Sequence, residues 1–274
     1  MKIAMIAPPW LSLYPGCYYG IENVVHNLTN TLYERGHEVI LFTVGRSTTP
    51  ATERYWYHKE NQYKHVHRPW YQAVPIISSH ILYSLNVIRQ AGDFDIIHDH
   101  NSFTGAAMMA FADGGLPPVL HTLHEPFTDK SLVQKGLPDN RMLYKELRHA
   151  RTMYFNGVSR SQLRTVPKKL YDHIVSVVHN GVDINDYIFS EKKKDYFVSV
   201  GRIGPDKGQG VAAKICYDLG EKLKIAGSVG EIATKSRLMR QIADPKNEGI
   251  GNPYFHYFKD EIAKYLVPNR IMYL

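Results

Sequence analysis

The chain has 274 residues, 44% hydrophobic and 22% charged, a balance that excludes a disordered or collagen-like chain. Two cysteines exclude a disulfide scaffold or a four-cysteine zinc site and make a reducing cytosol the expected location. A net charge of +7 suits anionic partners such as phosphorylated small molecules, nucleic acid or acidic headgroups, without choosing among them.

The length allows two domains or one large one. No run of about 18 uncharged apolar residues suggests a membrane span. The N-terminus, MKIAMIAPPW, has too short an apolar run for a secretory signal. The basic excess is uneven, with 15 Lys/Arg against 10 Asp/Glu from Glu191 onward and 18 against 16 before it.

Lys2 to Ala7 reads as a buried strand ended by Pro8-Pro9. After a turn-rich loop, apolar residues at Ile21, Val24, Val25, Leu28 and Leu32 mark one face of a helix that Gly36 stops. Glu38 to Val44 is a second strand, which completes a βαβ unit. Then come a helix over Ile76–Ala91, a strand over Asp95–Asp99, a helix over Phe103–Asp113 and a strand over Pro118–Leu123. A helix at Met142–His149, a strand at Thr152–Val158, a helix capped by Ser159 and a strand at Ile174–Val178 follow. This alternation predicts a parallel sheet with helices on both faces.

Residues 184–195, with little periodicity and three consecutive lysines, read as a linker between domains 1–183 and 196–274. Strands are then expected at Tyr196–Val200, Leu223–Ala226, Tyr254–Tyr257 and Arg270–Leu274. Helices are expected at Lys207–Leu219, Glu231–Ala243 and Lys259–Leu266. Four strands without a closing helix make the second sheet look incomplete.

Three groups of residues carry candidate chemistry. In the loop Tyr14–Gly20, Gly20 lacks a Cβ and either lets a phosphate approach the backbone or only makes a turn. His98, Asp99 and His100 end one strand, and His121 and His124 the next. They read as acid–base groups, as a metal site, or as a hydrogen-bonded network shaping a cleft. In VSVGRIGPDKGQG, Arg202 and Lys207 flank a turn at a helix N-terminus. That reads as a diphosphate site or as a solvated turn.

Several segments together resemble the retaining glycosyltransferases of family 4. They are YGIENVVHNLTNTLYERGHEV, DIIHDH, PVLHTLHE, FNGVSRS, VVHNGVD, FVSVGRIGPDKGQG and LKIAG, in the family's order over nearly the whole chain. The resemblance implies an α/β fold of GT-B type, with two Rossmann-like domains and the second one incomplete. It implies sugar transfer, with retained anomeric configuration, from a nucleotide diphosphate sugar to a glycan, lipid or small-molecule acceptor. The donor is a substrate, and neither a cofactor nor a metal is required.

Residue by residue, the resemblance puts Gly20 beside the donor diphosphate and His124 near the transferred sugar. Arg202 and Lys207 hold the diphosphate, and Asn180 belongs to a mainly structural crossover. Glu22, His98, His100, His121 and Asn180 remain cleft candidates. Two departures stand out. Tyr19 replaces the family's first loop glycine, and the E-x7-E motif is absent, which suggests a truncated second domain.

Two rival readings remain. One is a truncated or split, non-catalytic sugar-phosphate-binding protein, with a homo-oligomer or partner chain at the unfinished sheet. The other is a histidine-ligated metal hydrolase. Aromatic and basic residues interleave over Tyr55–Tyr71, which suggests acceptor binding or peripheral membrane contact. No nucleic-acid-binding module is recognised.

Overall fold

Strand β1 (Lys2–Ile6) lies in the interior of a seven-stranded, all-parallel sheet, third from one edge. The other strands are β2 (Glu38–Thr43), β3 (Glu53–Trp56), β4 (Ile96–Asp99), β5 (Val119–Leu123), β6 (Met153–Gly157) and β7 (Ile174–Val177), in the order β3-β2-β1-β4-β5-β6-β7. The computed structural model describes all residues except 17–19, 67–69, 113, 128–143, 145, 148–149, 231, 233 and 245–251, with the backbone alone at 70 and 186. The chain divides into two units, Met1–Ile188 and Phe189–Leu274.

Side-chain alternation in β1 and β2 builds two cores. Ala4, Ile6, Ile40 and Phe42 face α2 (Trp70–Ala91) and α3 (Phe103–Phe111), which supply Ile77, Ile81, Leu85, Ala106 and Met109. Met5, Ala7, Val39 and Leu41 face α1 (Gly20–Glu34), which supplies Val25. The period of two along a strand makes this division unavoidable. The strand order reverses between β1 and β4, a topological switch point where ligands bind in open α/β sheets.

Three expectations for this unit need amendment. Glu53–Trp56 forms an edge strand beside β2, and its last two residues, Tyr55 and Trp56, open the segment read as an aromatic–basic surface stretch. Helix α2 begins at Trp70 and carries Pro75 inside it. One missing backbone donor there is the cost of the longer helix. The helix expected at Met142–His149 lies outside the described residues except at 144, 146 and 147.

Ser159 caps the short helix α4 (Arg160–Leu163) as expected, its hydroxyl accepting from the Gln162 amide at 3.1 Å. No described helix is long and apolar enough to cross a membrane.

The second unit has a three-stranded parallel sheet, ordered β10-β9-β8: β8 (Phe197–Val200), β9 (Leu223–Ala226) and β10 (Ile271–Tyr273). Helices α5 (Gln209–Leu219), α6 (Lys235–Ala243) and α7 (Pro253–Tyr257) accompany it. Its core gathers Ile203, Ala213, Leu223, Ile225, Leu238, Phe255, Phe258 and Ile271.

Tyr254–Tyr257, expected as a strand, is helical. Asn252 Oδ1 accepts from the amides of Tyr254 at 3.0 Å and Phe255 at 3.1 Å, and Pro253 takes the first helical position. A capping asparagine followed by proline starts a helix whatever the β-propensity of the aromatics behind it. Among the described residues the second sheet therefore has three strands rather than four.

Candidate functional site

The switch point puts Asp99 beside Ile6 of β1 and His121 of β5. Strand alternation then sorts the polar cluster onto the two faces of the sheet. On one face Asp99 and His121 are both fully buried, with Asp99 Oδ2 2.6 Å from His121 Nδ1. Asp99 Oδ1 also accepts from the Asn101 amide at 3.2 Å and from its side chain at 2.8 Å. His121 packs edge-on against Phe155 and does not reach the surface.

On the other face, His98 Nε2 lies 2.7 Å from Thr122 Oγ1, and Thr122 donates its one hydroxyl proton to Asn156 Oδ1 at 2.7 Å. His98 must then be the donor to Thr122, which fixes its proton on Nε2. The rings of His98 and His100 are 4.3 Å apart between centroids. His100 Nδ1 meets His124 Nε2 at 3.0 Å, and the two rings stack. Three imidazoles thus form one contiguous row.

Burial is the main influence on all three rings. It lowers His98 and His124 to about 4 and His100 well below the ordinary histidine value, and neighbouring imidazoles add to the effect. Buried His80, whose Nε2 contacts the Ala7 carbonyl at 3.0 Å, is also lowered to about 4 by burial. The row is therefore neutral near pH 7. It can donate and accept hydrogen bonds but supplies no fixed positive charge.

A pH dependence follows. Unfolded histidines titrate near 6.5 and these near 4, so between the two values the unfolded chain binds more protons. The contribution of these rings is complete above pH 6.5 and is lost as the pH falls towards 4. We expect the thermal midpoint of the chain to drop steadily from pH 6.5 to 4.5. A midpoint that stays flat over that range would show that the rings are solvated.

His98, His100 and Asn180 line a groove of about 500 Å³, together with Asn27 of α1, Thr122 and Asn156. His124 sits on the loop after β5, and Gln162 of α4 holds that loop. Gln162 Nε2 donates to the carbonyls on either side of His124, Leu123 at 2.7 Å and Glu125 at 2.8 Å. Gly20 opens α1 and is exposed, and a Cβ built there would meet nothing within 4 Å. Glu22, in the first turn of α1, is buried, and that burial raises its carboxyl above the usual range.

In the second unit, Arg202 follows β8 and Lys207 ends a 3₁₀ turn (Pro205–Lys207) that leads into α5. Gly208, in the left-handed conformation with φ 71°, joins the turn to the helix. Arg202 Nη2 donates to Asp206 Oδ2 at 3.0 Å, and its guanidinium lies 4.7 Å from the centre of the Tyr254 ring. Gln209 braces the loop, donating to the Arg202 carbonyl at 3.0 Å and accepting from the Gly204 amide at 3.3 Å. Two cations and the first turn of a helix therefore stand together at the carboxyl end of a strand.

Thr122, Asn156, Gln162, Asp206 and Tyr254 are the residues the sequence reading missed. Of these, only Asp206 had a local signal, its four-residue spacing from Arg202. Among the described residues no group of three or more His, Cys, Asp or Glu could hold a metal ion.

No curated protein matches the chain. Solved structures do. Anabaena HepE, solved with UDP and glucose, is 17% identical over 100% of this chain and 69% of its own, with a TM-score of 0.56. The catalytic domain of starch synthase IV from Arabidopsis thaliana, bound to ADP and acarbose, is 14% identical over 100% of this chain and 73% of its own, with a TM-score of 0.56.

AviGT4, a glycosyltransferase of avilamycin A biosynthesis, is 21% identical over 84% of this chain, with a TM-score of 0.47, and the chain spans 58% of its length. The fold is thus of GT-B type, an α/β architecture with a parallel sheet in each unit. The family model of Glycosyltransferase Family 4 matches residues 18–186, more than half the sequence and nearly all of the seven-stranded unit, and the chain belongs to that family.

Proposed function

We propose that the protein transfers a sugar, with retention of configuration, from a nucleotide diphosphate sugar to a glycan, lipid or small-molecule acceptor. The observation that carries this reading is the pairing of Arg202 and Lys207 at the start of α5. As the glycosidic bond breaks, negative charge grows on the departing diphosphate. Fixed positive groups and helix amides stabilise that charge. The neutral histidine row in the first unit suits hydroxyl-bearing sugars, with His124 near the transferred sugar and Gly20 offering open backbone to the donor. We assign donor binding to the second unit and the acceptor side to the first.

The test is a calorimetric and thermal-shift panel of UDP, GDP and their sugars on the whole chain, since a ligand bound only by the native state raises its midpoint. We expect one nucleotide series to bind and Gly20→Ala to weaken it without lowering the unliganded midpoint. A Cβ at Gly20 touches none of the described residues, so a loss of affinity there comes from the ligand. Absence of binding across the panel would overturn the reading.

A second reading, a sugar-phosphate-binding protein without transfer, gains support from the second unit. Among the described residues β8 has a single neighbour, and Phe197, Val198 and Val200 are exposed on it. An open apolar edge of that kind favours pairing with another chain. Donor binding with neither transfer nor hydrolysis would select this reading.

A further inference from the structure

We propose that Asp206 is a positioning residue of the diphosphate site, an internal anion that holds Arg202 and Lys207 ready and gives way when diphosphate binds. This rests on the donor-site reading above. The observation is one shared oxygen. Asp206 Oδ2 lies 3.0 Å from Arg202 Nη2 and 3.7 Å from Lys207 Nζ. The two cations suited to a pyrophosphate thus already grip a carboxylate oxygen, which offers them the same kind of acceptor as a phosphoryl oxygen.

The pair packs directly on the loop at Gly204, whose φ of −178° is extended backbone open to any residue. A Cβ at Gly204 would lie 2.6 Å from Asp206 Oδ1 and 3.3 Å from Arg202 Nη1, so a side chain there would push on the ends of both partners. The Tyr254 ring lies against the guanidinium at 4.7 Å and adds a further restraint.

Asp206 has two opposing effects. It offsets the repulsion between two neighbouring cations and keeps them ordered, which lowers the entropy lost on binding. It also repels an arriving anion. The side chains of Asp206 and Lys207 are about half exposed, at 51% and 52%, and ion pairs in such settings are weak enough to exchange for a more highly charged ligand.

Asp206→Asn separates the effects, because asparagine keeps an acceptor for Arg202 and loses the charge. Removing one like charge at contact distance in a solvated site is worth about 3–10-fold in affinity. The experiment titrates the full chain, the Asp206→Asn and Asp206→Ala variants and Arg202→Ala with inorganic pyrophosphate in chelator, at low and high salt.

We expect Asp206→Asn to bind pyrophosphate about 3–10-fold more tightly than the native chain, with a gain that shrinks as salt rises. Asp206→Ala, which also frees the guanidinium, should bind less tightly than Asp206→Asn. A structural lesion would not produce a salt-sensitive gain. If native chain and Asp206→Asn bind equally, or Asp206→Asn binds more weakly, the role of Asp206 is overturned while the site stands. If no variant binds pyrophosphate and Arg202→Ala changes nothing, the donor-site reading falls, and this role with it.

Discussion

Arg202→Ala should lower donor turnover on the order of 10²–10³-fold, the scale seen when one fixed donor to a developing oxyanion is removed. The guanidinium offers two parallel N–H groups to phosphoryl oxygens, and both are lost with the side chain. The folding cost should be small by comparison. The bond to Asp206 joins partly exposed groups, with side-chain exposures of 32% and 51%, and such pairs contribute about 0–1 kcal/mol. Stacking on Tyr254 adds about 0.5–1 kcal/mol.

The variant should therefore stay folded at 25 °C while it loses turnover and pyrophosphate affinity together. Steady-state donor consumption, measured beside a thermal melt, separates the two effects. Native turnover in a folded Arg202→Ala protein would remove this residue from the reaction. Arg202→Lys should recover only part of the loss, since a single ammonium cannot reproduce the two-pronged grip.

Most of the architecture was readable because the buried strands are rich in apolar residues: KIAMI and EVILFT are nearly continuous apolar runs, and VLHTL is apolar at three of its five positions. The edge strand ERYW is not. It is mostly exposed, pairs on one side and carries two charges, so nothing in its composition separates it from a surface loop. Tyr254–Tyr257 was misread for the opposite reason. Four consecutive aromatic rings suggest a strand, while the decisive information lay just before them in Asn252-Pro253.

The site divides in a similar way. Arg202 and Lys207 were legible because strand, turn and helix N-terminus are consecutive in the chain. The partner stacked on Arg202, Tyr254, comes from a distant helix, and its contact depends on tertiary packing alone. The histidine cluster was found, but its internal geometry was not. Alternation along β4 already places Asp99 opposite His98, so the separation of the Asp99–His121 pair from the imidazole row follows from the period of two. The hold of Gln162 on the loop around His124 has no counterpart in the sequence, because it spans elements far apart in the chain.

Gly227→Ala should strongly destabilise the second unit. Gly227 ends β9 with φ 156°, a backbone conformation that residues with a Cβ rarely adopt. A Cβ built there would lie 1.8 Å from the Gly201 carbonyl oxygen and 2.6 Å from its carbon. Both neighbours are backbone, so no rotamer change relieves the overlap. The strand ends must separate instead, which puts at risk the bond from the Gly201 amide to the Ala226 carbonyl at 2.9 Å and that from Ile203 to Ser228 at 2.9 Å.

Gly201 provides the internal control. Its φ is 154°, yet a Cβ there meets nothing within 4 Å, so Gly201→Ala carries backbone strain alone, about 1–3 kcal/mol. Gly227→Ala adds the collision and should cost about 4 kcal/mol or more, a large share of the stability of an ordinary domain. Urea unfolding of the full chain, followed by far-ultraviolet dichroism, checks this. The prediction is an early transition in Gly227→Ala that Gly201→Ala lacks. Because Gly201 immediately precedes Arg202, the same displacement should weaken pyrophosphate binding in whatever fraction of Gly227→Ala stays folded. Equal unfolding midpoints for the two variants would mean that the strand ends yield freely, and that the position of Arg202 is not set by this glycine contact.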